Sequence, residues 1–209
     1  MTRLFLVRHG NTMDEETKKV YKGRTDIPLS PKGIARMEKA AAFLSASFTL
    51  DKLYTSTLSR SIDSGRIIGR SQGLEAVSLP DFDEIDFGAW EGLSFDEIKE
   101  RYPEELDRWL LDPANHTPPR GEPFGTARAR SMKGVRKILK EDAGRTVCVV
   151  AHAGVLRIMI FALLGMRLSK LFRIAQDYGC INIVDVYEDG NAVVKLLNFT
   201  YYETGPASL

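Results

Sequence analysis

The alternation of strand-like and helix-like segments in this sequence predicts an α/β fold, a three-layer sandwich built on a mainly parallel sheet. Residues 3–8 and the run "RTVCVVAHAG" are continuously apolar and β-rich, as strands buried on both faces are. Segments with helical spacing of apolar residues separate the strand candidates, the order a parallel sheet needs. The stretch "CINIVDVYEDGNAVVKLLNF" reads as a hairpin turned at Glu188-Asp189-Gly190-Asn191, so an antiparallel pair closes the C-terminal edge.

Each element has its own local reason. "SPKGIARMEKAAAFLSA" predicts a helix with Ser30 as N-cap and Pro31 at its first position, its apolar face carried by Ile34, Met37, Ala41 and Leu44. "LDKLYTS" is a short second strand. "TLSRSIDSGRIIGRSQG" reads as a helix with Leu58 and Ile62 on one face and Gly73 beyond its end. "LEAVSLP" is a third strand candidate. Residues 92–144 show no strand. They offer two short helices ("SFDEIKERY", "PEELDRWLL"), a Pro-rich passage "DPANHTPPRGEP" and a longer basic helix through "ARARSMKGVRKILKE". This segment is expected to be a mostly helical lid inserted over the core of a single domain spanning 1–209. "VLRIMIFALLGM" follows the buried strand as a helix and leads to the hairpin.

Composition excludes several classes. At 209 residues, with 44% hydrophobic and 27% charged, the chain has the make-up of a globular protein. Lys+Arg 29 against Asp+Glu 28 leaves a net charge of +1, so no global field recruits nucleic acid. Any preference for anions must be local. Cys148 and Cys180 sit in apolar runs and read as small core residues, neither a disulfide framework nor a metal cluster. The longest apolar stretch is interrupted by Arg157 and too short to span a bilayer, and the chain enters its first strand without a leader. A cytoplasmic location with no membrane partner is the expectation.

The chemistry lies in two stretches that look alike. "LFLVRHG" and "TVCVVAHAG" both carry an apolar strand into histidine and glycine. Strand carboxyl ends form the ligand crevice of an open α/β sheet, so His9 and His152 are expected on one edge. The third histidine, His116, lies in the Pro-rich loop and is expected in solvent. Arg8 adjoins His9, and Arg60 opens the helix after "YTST". Two arginines and two histidines converging on one crevice predict a pocket for a tetrahedral dianion, with phosphate the obvious guest. Cleaving a phosphate ester also needs a proton for the leaving oxygen, which a carboxyl can give. "LPDFDEIDFGAWEGLSF" follows the third strand, and its spacing leaves Asp83, Glu84, Asp86 and Glu91 all open for that task.

The combination resembles the histidine phosphatase superfamily, the phosphoglycerate mutase-like proteins. The matching pieces are Arg8-His9-Gly10, "KGRTDIPLSPKG", "YTSTLSRSIDSG", "DEIDFGAWEG" and "VVAHAGVLR", in the family's order along the whole core. The resemblance implies that His9 is the phosphate-accepting nucleophile and Glu84 the proton donor. Arg8, Arg60 and His152 would hold the phosphoryl oxygens, with further substrate contacts from Asn11, Gly23, Arg24 and Ala153. It implies no metal and no cofactor. The chain departs from the family's usual pattern in three places. Asn11 replaces a Glu, Glu15-Glu16 occupy the region of a family Asn in a loop one residue longer, and Gly121-Glu122-Pro123 replaces "GES".

Three functions are compatible with this resemblance. The first is a phosphatase acting on a small phosphomonoester. The second is a cofactor-dependent phosphoglycerate mutase, and the third a binding protein that has lost catalysis. "KGRTDIPLS" is similar to the phosphatase branch, and "FRIAQDYGCINIVDVYEDG" is loosely similar to α-ribazole phosphatases, which makes α-ribazole 5′-phosphate the named substrate candidate. Trp90, Phe95, Trp109 and Phe124 would either stack on a substrate ring or pack the lid onto the core, and packing is the expectation.

Overall fold

The structure is a computed structural model that describes residues 1–16, 18–200 and 202, with the side chains of Glu15 and Glu16 outside the described set. Six strands make one sheet: β1 (Thr2–Arg8), β2 (Lys52–Thr55), β3 (Ala76–Ser78), β4 (Thr146–Ala151), β5 (Ile181–Val186) and β6 (Ala192–Phe199). Their spatial order is β3-β2-β4-β1-β5-β6. β1, β2, β3 and β4 run parallel, while β5 is antiparallel to both β1 and β6. The alternating segments and the closing hairpin both agree with the sequence pattern.

Side chains alternate between two cores. Leu4, Leu6, Val147, Val149 and Val184 point into one, while Phe5, Val7, Cys148, Val150 and Ile181 point into the other. With apolar groups on both faces, the central strands need helices on both sides. α1 (Pro31–Ser47) and α2 (Ser59–Gln72) cover one face; α5 (Phe124–Glu141) and α6 (Ala153–Leu163) cover the other, with α3 (Phe95–Arg101) and α4 (Pro103–Leu111) beside them.

Three expectations need correcting. In α1 the Ser30 hydroxyl caps the helix as predicted, 3.1 Å from the Gly33 amide, but Ile34 is 42% exposed. The buried face starts instead at Gly33, where an added Cβ would lie 2.0 Å from the Asn11 carbonyl oxygen. Close approach of the post-β1 loop turns Ile34 outward. In α2 the buried face is made of Ser61, Ser64, Gly65, Ile68 and Gly69 around Arg60, with Ile62 only half-buried. Small residues let this helix lie close on the sheet, and Gly73 ends it in the left-handed conformation. In the segment 92–144, α5 packs along α6 with Ala127, Val135 and Ile138 fully buried, so this helix is part of a sheet-covering layer. The basic residues on its outer face obscure its apolar positions in the sequence.

Strand register sets the level of the sheet's carboxyl edge. Arg8 pairs with Ala151, and Thr55 with Val150, so β1, β2 and β4 end together. The next residues of the three strands are His9, Ser56 and His152.

Candidate active site

His9 and His152 face each other at that strand edge with ring centroids 5.0 Å apart. His9 is nearly enclosed, and its Nδ1 lies 2.7 Å from the Gly10 carbonyl oxygen. A carbonyl only accepts, so Nδ1 carries the proton and Nε2 keeps a lone pair. Burial, then the charges of Arg60 and Arg8, hold the His9 pKa well below that of an ordinary histidine, so the ring is neutral at pH 7. His152 is fully buried. The Arg60 Nε–H donates to its Nδ1 at 3.3 Å, which leaves the proton on Nε2, 2.7 Å from the Ser56 hydroxyl. Burial and Arg60 hold it neutral as well.

The two arginines are fixed from outside. Arg60, 1% exposed, donates to the carbonyls of Thr25 at 2.7 Å and Gly23 at 2.8 Å. Arg8 donates to the Gln176 carbonyl at 2.6 Å and stacks with its guanidinium carbon 3.5 Å from the Tyr178 ring centroid. Its Nε–H is buried and has no partner among the described residues. A buried donor left open is costly unless an acceptor arrives, and an oxyanion is the acceptor this site is charged to attract.

Of the four acids the spacing left open, Glu84 alone lines the cavity. Both its oxygens sit at the start of α6, accepting from Gly154 N at 3.1 Å, Val155 N at 3.2 Å and its neighbour Ile85 N at 2.9 Å. Gly154 lets the carboxyl approach closely, since an added Cβ would meet a Glu84 oxygen at 2.7 Å and force that side chain to shift. Asp86 turns away to the Gly88 amide, and Glu91 holds the amides of Arg24 and Thr25. Asp83 is buried, accepting from Thr57 N at 2.7 Å, the Thr57 hydroxyl at 2.8 Å and Arg24 Nη1 at 2.6 Å. Asp83→Ala is therefore expected to cost about 1–3 kcal/mol in a urea unfolding curve, because it removes three hydrogen bonds to a buried carboxylate, one of them from a charged group. An unchanged midpoint would contradict this structural role.

The cavity has a volume of about 770 Å³ and gathers Arg8, His9, Gly23, Arg60, Glu84 and Ala153 at its floor. Three residues carried over from the family pattern lie elsewhere; His152 is fully buried behind Arg60 and Ser56 and does not line the cavity. Arg24 reaches Asp83 and Asn11 accepts from Arg36 at 2.8 Å; neither lines the cavity. Arg24 is drawn off by its ion pair with Asp83, and Asn11 follows the close packing of its loop on α1. The Glu15-Glu16 departure concerns side chains outside the described residues. Phe95, Trp109 and Phe124 line the upper wall with Tyr21, Phe87 and Phe172, whereas Trp90 is wholly core. His116 is exposed, as expected.

Sequence reasoning missed several wall residues. Tyr178 enters because antiparallel β5 brings its preceding loop to the same edge, and the Lys22 ammonium donates to its hydroxyl at 2.9 Å. Arg157 also lines the cavity and donates to the Ile174 carbonyl at 2.9 Å. A charge inside an otherwise apolar helix was the available signal for it. Cys148 and Cys180 are free and buried, and burial pushes both thiols up, Cys180 to about 11.

Comparison with known proteins agrees with this geometry. A bifunctional protein of Mycobacterium tuberculosis is 36% identical over 201 residues, 96% of this chain and 55% of that protein, so the chain spans about half its length. Phosphoserine phosphatase 1 of Hydrogenobacter thermophilus is 31% identical over 196 residues, covering 94% of this chain and 92% of the relative. The solved α-ribazole phosphatase from Shigella flexneri superposes with a TM-score of 0.84 at 25% identity, covering 95% of this chain and 96% of that one. The family profile of the histidine phosphatase superfamily (branch 1) matches residues 4–199, from β1 to the end of β6. The chain belongs to that superfamily.

Proposed function

We propose that this chain is a phosphatase that hydrolyses a small phosphomonoester through a phosphohistidine on His9. The observation that carries the reading is the His9 tautomer. Its Nδ1–H is tied to the Gly10 carbonyl, so Nε2 is the nucleophilic nitrogen, set beside two guanidinium groups. Nε2 attacks phosphorus in line, and the N–P bond forms as the ester P–O bond breaks. The Gly10 carbonyl faces the Nδ1–H that becomes more acidic as the ring is phosphorylated. Arg8 and Arg60 hold the equatorial oxygens, whose charge they stabilise, while His152 backs the Arg60 guanidinium through its Nδ1. Glu84 gives its proton to the leaving oxygen. Water then attacks phosphorus, Glu84 takes its proton, and inorganic phosphate leaves with His9 restored.

For the substrate we infer α-ribazole 5′-phosphate, supported by the name of the Shigella relative and by the aromatic upper wall. Phe95 and Phe172, 44% and 50% exposed, stand at the cavity mouth, where a flat leaving group would cover them. The test is a panel of phosphomonoesters including α-ribazole 5′-phosphate, phosphoserine and 3-phosphoglycerate, the last with and without 2,3-bisphosphoglycerate. Preference for phosphoserine would overturn the substrate. Isomerisation of 3-phosphoglycerate that depends on the bisphosphate would overturn hydrolysis as the main reaction in favour of a mutase. No turnover of any ester would favour a binding protein.

Activity is expected to survive EDTA, because Arg8 and Arg60 supply the positive charge on the phosphate. Among the described residues no group of three or more His, Cys, Asp or Glu side chains is placed to hold a metal ion. Loss on chelation with recovery on added magnesium would contradict this. A cytoplasmic location is inferred from the two free buried thiols, and no helix among the described residues is long and apolar enough to cross a membrane.

A further inference from the structure

We propose that Arg130, outside the cavity, is a positioning residue that sets the reach of the Glu84 carboxyl by clamping the carbonyls of residues 81, 83 and 84. The inference rests on the reading of Glu84 as proton donor. Arg130 lies on α5, and every N–H of its guanidinium has an acceptor. Nη1 donates to the Asp81 carbonyl at 3.0 Å and the Asp83 carbonyl at 2.6 Å; Nη2 donates to the Glu84 carbonyl at 3.1 Å. Nε and Nη2 also grip the two oxygens of Glu122 at 2.7 and 2.8 Å. That accounts for all five donors an arginine has.

The clamp joins three parts of the fold. Glu122 belongs to the loop before α5, and its own amide donates to the Asp86 carbonyl at 2.8 Å, on the far side of Glu84. Arg130 and Glu122 are 17% and 11% exposed, so the pair is held in a setting where its bonds are little screened. Glu84 is thus fixed at both ends. Its backbone is held by Arg130 and its carboxyl by the first amides of α6. The Glu84 side chain bridges the two, so a shift of its backbone moves the carboxyl against the leaving oxygen. Arg130 itself does not line the cavity. Its influence passes through the backbone of 81–84.

A carboxylate at 122 neutralises the guanidinium and orients its plane, leaving three N–H groups aimed at the acid turn. Lysine at 130 retains the charge but has three donors on a single nitrogen, with no planar fork. It meets Glu122 and at most part of the carbonyl set.

The experiment compares Arg130→Lys and Arg130→Met with Glu84→Gln on two esters. One is an alkyl phosphate, whose leaving alkoxide must be protonated, and the other is p-nitrophenyl phosphate, whose leaving group needs little help. Arg130→Lys is expected to lower kcat on the alkyl ester by about 10- to 10²-fold, the scale of a misplacement near 1 Å. On p-nitrophenyl phosphate the fall should stay under about twofold, with KM for both esters unchanged. Arg130→Met should show the same selectivity, more strongly, with rates corrected for the folded fraction measured by circular dichroism at the assay temperature. A fall that is equal on both esters would mean that Arg130 is structural only and would overturn the proposal, as would no fall at all. If Glu84→Gln is selective and Arg130→Lys is not, the clamp alone fails. If Glu84→Gln is itself unselective, the acid assignment fails and takes the clamp's role with it.

Discussion

His9→Ala is expected to abolish phosphoester turnover, with a loss on the order of 10⁴-fold or more. In the proposed mechanism the His9 Nε2 is the nucleophile, and its partner histidine is committed on both nitrogens. His152 accepts from Arg60 on Nδ1 and meets Ser56 through Nε2, so it cannot take over attack without breaking both contacts. The fold should survive, because the lost bond is to the adjacent Gly10 carbonyl and the ring lies at a cavity floor, not inside either core. Incubation with a phosphorylated substrate and rapid quenching should label the wild-type chain with an acid-labile, base-stable phosphate, and label should be absent from His9→Ala. Label surviving in the variant, or an acid-stable adduct on serine, would sink the mechanism.

Glu84→Gln is expected to separate substrates by their leaving groups. General acid catalysis contributes about 10²–10⁴-fold, so the alkyl ester should slow by that order while p-nitrophenyl phosphate barely changes. A glutamine oxygen placed where Oε1 now lies still accepts from Ile85 and Val155, while the NH2 group meets the Gly154 N–H donor to donor. That mismatch acts on both esters alike, so the difference between them reports the proton. The measurement is the ratio of the two rates for wild type and variant. An equal fall on both esters would remove Glu84 from the role. Asp83 is no fallback, since its carboxylate is taken up by Thr57 and Arg24.

Much of the architecture can be read in the chain because its signals are local. A strand buried on both faces must be apolar throughout, so "FLV" before Arg8 and "VCVV" before Ala151 announce the sheet. A hairpin turn needs its glycine, and Gly190 at φ 83° supplies it. The misreadings come where a long-range approach overrides a local pattern. Ile34 has helical spacing with Met37, yet the loop at Asn11 rests on Gly33 and turns Ile34 to solvent.

By itself the sequence determined the α/β class and the strand-end position of His9 and His152. Both depend on burial periodicity within a few residues, and the shared edge comes from strands running the same way. The family resemblance singled out Glu84 among four neighbouring acids. Only the tertiary structure decided that the other three are drawn to other partners, that Arg24 and Asn11 turn away from the cavity, and that Tyr178, Arg157 and the Arg130 clamp belong around it. Those outcomes depend on contacts between residues far apart in the chain, such as Arg130 with Glu84 at 46 positions and Arg8 with Gln176 at 168. The energy of such a contact depends on where the sheet register brings two segments together, and no local pattern of side chains encodes that distance.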